Sequence, residues 1–219
     1  MQLIPTEQEV IDLLKQTGAL RYGHFEYPNG LHSDMYLQPA LAMRRYQEAK
    51  LLSVALSRKL RANSEIRAII PELSIVAPAT GGLPVAYGMC EALRAHQVYW
   101  AEQADQGGPL RFRPHLHPVP GEKVLLVDDV LRSGRKLTEL KGLIEQQGAH
   151  VVGLAVLIYQ PNPQTASFGS LPFYYLAKLD AQYFFDAANL QSSTHISGKA
   201  EKVDVYKRQA HGRPVAGRL

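Results

Sequence analysis

Short runs of apolar or aromatic residues alternate with amphipathic stretches through the middle of the chain. The apolar runs lie at residues 74–77, 98–101, 124–127, 151–158 and 173–177. Helical patterns fill residues 84–95 and 136–147 between them. A strand that is apolar on both faces needs cover on both faces, which is typical of a parallel sheet. The alternation therefore predicts an α/β fold, with a central parallel sheet and helices on both faces.

The N-terminal part of the chain predicts a small substructure beside that sheet. Thr6 is a suitable N-cap for a helix over Glu7–Gln16, whose apolar residues recur at helical spacing. Residues 19–40 are rich in aromatic residues and turn formers, which predicts a strand, a turn and a second strand. We interpret this segment as a flap, or hood. A further amphipathic helix is expected over residues 47–61.

The positive charge is concentrated at the C-terminal end of the chain. The formal net charge is +4, yet residues 1–198 hold 18 basic and 18 acidic side chains. A neutral body offers no electrostatic footprint for nucleic acid, so no nucleic-acid partner is expected. Residues 204–209 match the translation of a common sequencing adapter. We therefore expect one domain over residues 1–203, followed at 204–219 by a sequencing artefact or a native disordered tail.

The single cysteine and the apolar runs restrict the cellular setting. Cys90 excludes an internal disulfide, which fits a reducing compartment. Every apolar run is shorter than the roughly 20 residues that a membrane helix needs. The first residues also lack the pattern of a secretory signal. The expected location is the cytoplasm, with no membrane partner.

The most specific pattern lies at residues 124–136, where an apolar strand leads into two acidic residues, a turn and a helix. In open parallel sheets, ligands bind at the carboxyl ends of the strands. Asp128 and Asp129 are suited there to hold vicinal sugar hydroxyls, and the turn at Ser133-Gly134 offers a helix N-terminus to a phosphate. An isolated acidic pair is more often a solvated strand end. The strand before the pair and the turn after it favour a ribose 5-phosphate site.

This segment resembles the phosphoribosyl-pyrophosphate motif of the type I phosphoribosyltransferases. The resemblance extends in order over residues 6–200, and Asn29-Gly30-Leu31-His32-Ser33-Asp34 is similar to the orotate branch of that family. It implies the type I phosphoribosyltransferase fold and a glycosyltransferase activity. Such an enzyme transfers 5-phosphoribosyl from phosphoribosyl pyrophosphate to a nucleobase, orotate in the first place, giving orotidine 5′-phosphate and pyrophosphate in pyrimidine synthesis. The resemblance also implies Mg²⁺ as cofactor and a homodimer.

The resemblance assigns roles to further residues. Thr80-Gly81-Gly82 resembles the pyrophosphate loop, where glycines let N–H groups approach the ligand closely. Residues 103–122 resemble a lid, in which Arg111 and Arg113 are expected to neutralise the departing pyrophosphate, although an ordinary exposed loop is the alternative. Glu102, at the start of the lid, is placed with the two aspartates among the catalytic residues. The expected 5-phosphate cradle consists of Leu131, Arg132, Ser133, Gly134 and Arg135, and Val130 is placed beside it among the substrate-binding residues.

No residue is assigned to a metal. Mg²⁺ binds largely through substrate oxygens and waters, with few protein ligands. His115 and His117 lie close to a metal-ligand spacing, but no third ligand accompanies them in the sequence. We interpret both histidines as surface residues.

The chain departs from the orotate branch where the base is expected. Arg132 stands where that branch usually has Thr, and Gln160 where it usually has an Arg that pairs with the orotate carboxylate. A neutral amide cannot replace a bidentate guanidinium, although Arg132 is another source of positive charge. Arg135 and Lys136 replace small residues of the phosphate turn. Two alternatives stay open: transfer to another base such as a purine, and a non-catalytic sensor of phosphoribosyl pyrophosphate.

Overall fold

The chain divides into two units in the computed structural model, which describes residues 4–27, 30–103, 108–185, 188–189 and 200–203. One unit comprises Met1–Arg21 and Leu37–Ala181, and the other Tyr22–Tyr36 and Gln182–Leu219. The expected tail at 204–219 and residues 104–107 of the expected lid lie outside the described residues. In the described part of the chain, no helix has both the length and the apolar character needed to cross a bilayer.

The secondary structure follows the alternation of strands and helices. The strands are β1 Leu20–Glu26, β2 His32–Leu37, β3 Leu73–Pro78, β4 Gln97–Gln103, β5 Leu110–Phe112, β6 Lys123–Leu131, β7 His150–Tyr159, β8 Phe173–Lys178, β9 Tyr183–Phe184 and β10 Glu201–Lys202. The principal helices are α1 Glu7–Gln16, α2 Ala40–Met43, α3 Tyr46–Arg61, α4 Ser64–Ile69, α5 Gly82–Leu93 and α6 Arg135–Gln146. The short helices α2 and α4 were not predicted, because neither is long enough to show a helical period.

The larger unit contains a sheet with the strand order β5-β4-β3-β6-β7-β8. The five strands from β4 to β8 in this order are parallel, which confirms the expected central parallel sheet. The edge strand β5 is antiparallel to β4 and lies within residues 103–122, which were expected to form a loop. That expectation was wrong for β5, because a three-residue strand is defined by its partner β4 and not by its own pattern.

Helices cover both faces of this sheet. On one face, Leu137 and Ile144 of α6 pack with Val124 and Leu126 of β6 in a single cluster of buried side chains. The intervening strand residues, including Leu125, are also fully buried, on the face where α3 and α5 pack. This burial on both sides explains why the strands read as continuous apolar runs.

Strand β6 extends further than its apolar run. The sequence predicted a strand over residues 124–127, with the acidic pair after it. In the structure β6 continues to Leu131, because its pairing with β7 goes on from Asp128↔Val156 to Leu131↔Tyr159. The two acids therefore lie within the strand. Their side chains are held by sheet geometry and not by a flexible turn.

The smaller unit is built around a four-stranded sheet with the order β10-β1-β2-β9. Strands β1 and β2 carry most of the flap expected over residues 19–40. The C-terminal part of the chain supplies the outer strands, since β10 pairs in parallel with β1 and β9 pairs antiparallel with β2. The sequence did not predict β9 or β10, because strands of two residues have no measurable pattern.

Candidate functional site

The acidic pair sits at the carboxyl end of β6, between β3 and β7. Asp128 is only 9% exposed, and Asp129 is half-buried. Each carboxylate accepts a hydrogen bond from the next amide: the Asp129 N–H donates to Asp128 Oδ1 at 2.9 Å, and the Val130 N–H donates to Asp129 Oδ1 at 2.8 Å. These local bonds fix both carboxylates in place.

Burial makes the ionised form of this pair costly. It raises the pKa of Asp128 well above the ordinary value, and the neighbouring charge of Asp129 adds to the effect. Burial also raises the pKa of Asp129, while the charge of Arg132 acts in the opposite direction. The pair would therefore be stabilised by a ligand that brings hydroxyl donors or positive charge.

The turn after β3 packs directly on these carboxylates. A side-chain Cβ at Gly81 would lie 2.9 Å from Asp129 Oδ2, and one at Gly82 would lie 3.1 Å from Asp128 Oδ1. The first of these contacts is too short and the second is tight, so a larger residue at either position would force a neighbouring side chain to move. The peptide bond between Ala79 and Thr80 in this turn is cis. The structure thus brings the expected pyrophosphate loop and the expected ribose acids into one site.

The turn after β6 is fixed from outside by the loop that follows β7. The Thr165 hydroxyl donates to the Arg132 carbonyl at 2.6 Å, and the Ala166 N–H donates to the Ser133 carbonyl at 2.9 Å. Gly134 has a φ of 74°, and a Cβ there would lie 3.2 Å from the ring of Phe168. A glycine is therefore needed at this position for both conformation and space.

Helix α6 begins at this turn, and the Arg135 N–H donates to Ser133 Oγ at 3.4 Å. The N-cap Gly134 gives helix α6 no capping side chain, and the first turn of the helix holds no acidic residue. Its first N–H groups lack acceptors within the helix. Arg135 and Lys136 occupy the first turn and are exposed, although the helix dipole disfavours cations there. An anion such as a phosphate would interact favourably with the N–H groups and with both cations.

Arg132 and Gln160 are joined, although 28 residues separate them. Arg132 Nε donates to Gln160 Oε1 at 2.6 Å, and Arg132 Nη2 donates to the Leu37 carbonyl at 2.9 Å. Gln160 is only 1% exposed. The two positions where the chain departs from the orotate branch therefore form one hydrogen-bonded unit.

Glu102 lies on β4, Arg111 lies on β5, and Arg113 directly follows β5. Arg113 donates to Glu102 Oε2 from Nε at 3.1 Å and from Nη2 at 2.9 Å, and the Trp100 indole N–H donates to Glu102 Oε1 at 2.9 Å. The hydrogen bonds from Trp100 and Arg113 lower the pKa of Glu102. Arg111 is exposed and pairs in register with Glu102. The carboxylate of Glu102 is thus engaged by its neighbours on the hairpin.

Several contributors to the site were not predicted. Thr165 and Phe168 hold the turn after β6, Leu37 binds Arg132, and Trp100 binds Glu102. Their roles depend on backbone carbonyls and ring positions, which leave no spacing signal in the sequence. Within the described residues, no set of three or more His, Cys, Asp or Glu side chains could hold a metal ion.

A family model for the phosphoribosyl transferase domain matches residues 48–169. The match includes β3, β6 and both of the turns described above. The chain belongs to the phosphoribosyltransferase family. The expected enzyme class is thereby confirmed.

Relatives of this phosphoribosyltransferase cover most of its length. The orotate phosphoribosyltransferase of Carboxydothermus hydrogenoformans is 33% identical over 176 residues, which are 80% of this chain and 87% of the relative. That of Desulforamulus reducens is 30% identical over 155 residues, 71% of this chain and 76% of the relative. The crystal structure of orotate phosphoribosyltransferase from Aeropyrum pernix matches with a TM-score of 0.62 at 18% identity, covering 86% and 99% of the two chains. This structural likeness confirms the expected phosphoribosyltransferase fold.

Proposed function

We propose that this phosphoribosyltransferase uses orotate. It transfers the 5-phosphoribosyl group from phosphoribosyl pyrophosphate to a ring nitrogen of orotate, giving orotidine 5′-phosphate and pyrophosphate. Relatives at 30–33% identity that are orotate phosphoribosyltransferases support this substrate. The observation that carries the proposal is the packing of Gly81 and Gly82 on the carboxylates of Asp129 and Asp128. This packing supports a phosphate site at the turn, beside carboxylates that would hold a sugar.

The donor would span three adjacent parts of the site. Its ribose hydroxyls donate hydrogen bonds to Asp128 and Asp129, which bind them best when ionised. Its 5-phosphate binds the turn from Val130 to Arg135, chiefly through backbone N–H groups. Its pyrophosphate lies against the N–H groups of Thr80-Gly81-Gly82.

Orotate is an anion through its carboxylate, and its reacting ring nitrogen carries a proton. The ring nitrogen forms a bond to C1 and gives up that proton to water or to the departing pyrophosphate, while the bond from C1 to the pyrophosphate oxygen breaks and its electron pair leaves with pyrophosphate. The protein contributes positioning and neutralisation of the departing charge. We expect Arg111, which is exposed on β5, to meet that charge when the donor is bound. Arg113 would first have to leave Glu102.

Mg²⁺ fits the carboxylate oxygens of this site. Asp128 and Asp129 offer the hard oxygen ligands that Mg²⁺ prefers, and oxygens of the donor would complete its coordination. When bound, Mg²⁺ would neutralise charge on the pyrophosphate. Resemblance to the family also leads us to propose a homodimer, which sedimentation of the purified protein would test.

The experiment is an assay of pyrophosphate release. The protein is mixed with phosphoribosyl pyrophosphate, Mg²⁺ and a single base: orotate, uracil, adenine or guanine. Release that depends on orotate is expected. Release with a purine alone would show that the acceptor base is a purine and not orotate, within the same enzyme class. No release with any base, together with donor binding by calorimetry, would favour a sensor and reject the proposed activity.

A further inference from the structure

Arg132 is a cation whose hydrogen-bond acceptors are neutral. One acceptor is the side-chain amide of Gln160, and the other is the backbone carbonyl of Leu37. The Arg132 side chain is half-buried, so its charge has lost part of its hydration. Neutral acceptors orient a guanidinium, but they do not neutralise it. The charge is therefore available to an anion that enters the site.

The guanidinium is held rigidly. Gln160 is almost fully buried, and its backbone N–H donates to the Leu131 carbonyl at 2.9 Å, at the end of the β6–β7 ladder. The Arg132 carbonyl is itself fixed by Thr165. A fork-shaped donor that is held by two hydrogen bonds, on a backbone that is itself fixed, loses little conformational freedom when it binds a ligand. Such a group suits selective recognition of a carboxylate.

The position of Arg132 separates it from the 5-phosphate site. Its side chain reaches the end of β2 at Leu37 and the end of β7 at Gln160, whereas Arg135 and Lys136 occupy the N-terminus of α6. The charge of Arg132 also acts to lower the pKa of Asp129. Arg132 therefore lies on the side of the site near the acid pair, while other cations serve the helix end.

We infer that Arg132 selects the acceptor base by binding its carboxylate, and that Gln160 is the positioning residue that orients Arg132. This inference rests on the proposed function, because orotate differs from uracil by one carboxylate. The guanidinium discriminates in favour of the anionic base and against its neutral analogue. Gln160, being neutral, orients the cation without cancelling its charge.

The test compares two nucleotides that differ only in this carboxylate. Calorimetry measures the Kd of orotidine 5′-phosphate and of uridine 5′-phosphate, and both ligands carry the same 5′-phosphate. The unaltered protein should bind orotidine 5′-phosphate about 10- to 100-fold more tightly, the range for charge-assisted hydrogen bonds. In Arg132→Gln this preference should fall to about twofold or less, with the Kd of uridine 5′-phosphate nearly unchanged.

Two further variants separate charge from folding. Gln160→Glu leaves Arg132 in place but pairs it with a carboxylate, so the preference should fall while the thermal midpoint is kept. The exchange R132Q/Q160R moves the guanidinium to the other end of the same hydrogen bond and should restore part of the preference. Recovery in the exchange variant is not expected from a residue whose role is only structural.

The outcomes are distinct. Equal weakening of both nucleotides in Arg132→Gln would assign Arg132 to the 5-phosphate and overturn the inference. An unchanged preference in that variant, with a normal melting curve, would also overturn it. Turnover is measured separately: an unaltered protein that prefers orotidine 5′-phosphate but releases no pyrophosphate with orotate would reject the proposed activity alone.

Discussion

Acidic side chains lie at both ends of β6, and their hydrogen bonding differs between the two ends. At the amino end, Glu122 accepts hydrogen bonds from the Ser74 hydroxyl, from Gln97 Nε2 at 2.8 Å and from the Val119 N–H at 2.8 Å. The Tyr99 hydroxyl is a further, longer donor at 3.4 Å. This carboxylate ties together β3, β4 and the segment before β6.

At the carboxyl end, Asp128 and Asp129 lie side by side and accept hydrogen bonds from their own local backbone. Burial raises the pKa of both, and no basic side chain in the described structure forms an ion pair with either. An acid that is fully hydrogen-bonded stabilises a fold, whereas a crowded pair destabilises it and is retained for a ligand. The comparison predicts opposite effects of mutation at the two ends.

The largest effect is expected from Gly81→Ala. The new Cβ would lie 2.9 Å from Asp129 Oδ2, so either the turn or the acid must move. Displacement of a catalytic group by about 1 Å costs on the order of 100-fold in rate. We expect kcat/KM for phosphoribosyl pyrophosphate to fall by at least that factor, measured by pyrophosphate release with orotate.

Gly142→Ala in α6 is the matched control. A Cβ there would meet nothing within 4 Å, and the position is helical. The change should leave activity intact and raise stability by about 0.5–1 kcal/mol. Equal activity of Gly81→Ala and Gly142→Ala would show that the close packing of Gly81 on Asp129 is not needed for activity.

The next effect is expected from Asp128→Asn, which should lower activity and raise stability. Loss of the charge weakens the bond to a ribose hydroxyl, so kcat/KM should fall by about 10- to 100-fold. Because burial raises the pKa of Asp128, the folded chain keeps this proton at pH values where the unfolded chain has released it. Stability therefore falls as pH rises from the ordinary carboxyl pKa toward the raised one.

Thermal melting across that pH interval tests the predicted effect of Asp128→Asn on stability. The unaltered protein should lose stability as the pH increases through the interval, and Asp128→Asn should lose less and melt higher at neutral pH. A variant that melts lower at neutral pH would show that Asp128 stabilises the fold, which contradicts the comparison.

Glu122→Ala should have the reverse profile. Removing the carboxylate leaves buried donors such as Ser74 without an acceptor, which costs about 2 kcal/mol of unfolding free energy in urea. Activity per folded molecule should change little. Glu72→Ala is the control, since the exposed Glu72–Lys123 ion pair at 3.0 Å should be worth less than about 1 kcal/mol. A large loss of activity in Glu122→Ala would contradict the comparison, because it would show that the acid at the amino end of β6 also serves activity.

The smallest effect is expected on the β4–β5 hairpin. Arg111 is exposed and has no ion-pair partner among the described residues, whereas Arg113 is bound to Glu102. We expect Arg111→Ala to lower kcat by about tenfold and Arg113→Ala by less, in line with the loss of one charge-assisted contact. Single-turnover measurements would separate this effect from product release. The opposite order would mean that Arg113 leaves Glu102 when the donor binds.

Local patterns in the sequence were sufficient for much of the fold. Helix α1 begins and ends where the spacing predicts. Its start is fixed by reciprocal hydrogen bonds between Thr6 and Glu9, in which the Glu9 N–H donates to Thr6 Oγ1 at 3.2 Å. The buried strands β3, β6 and β7 were found because a strand covered on both faces must be apolar throughout. The acidic motif and the glycine turn were recognised because the residues of each are contiguous in the chain.

The sequence by itself determined the order of the longer helices and strands, the enzyme family and the residues of the two turns. Only the tertiary structure decided which of them meet. It brought Gly81 onto Asp129, because β3 and β6 are neighbours in the sheet although 48 residues separate these two positions. It also joined Arg132 to Gln160 and gave β5 its strand partner. Such contacts depend on strand order and on side-chain direction across the sheet, and neither property is encoded in the spacing of residues along one segment.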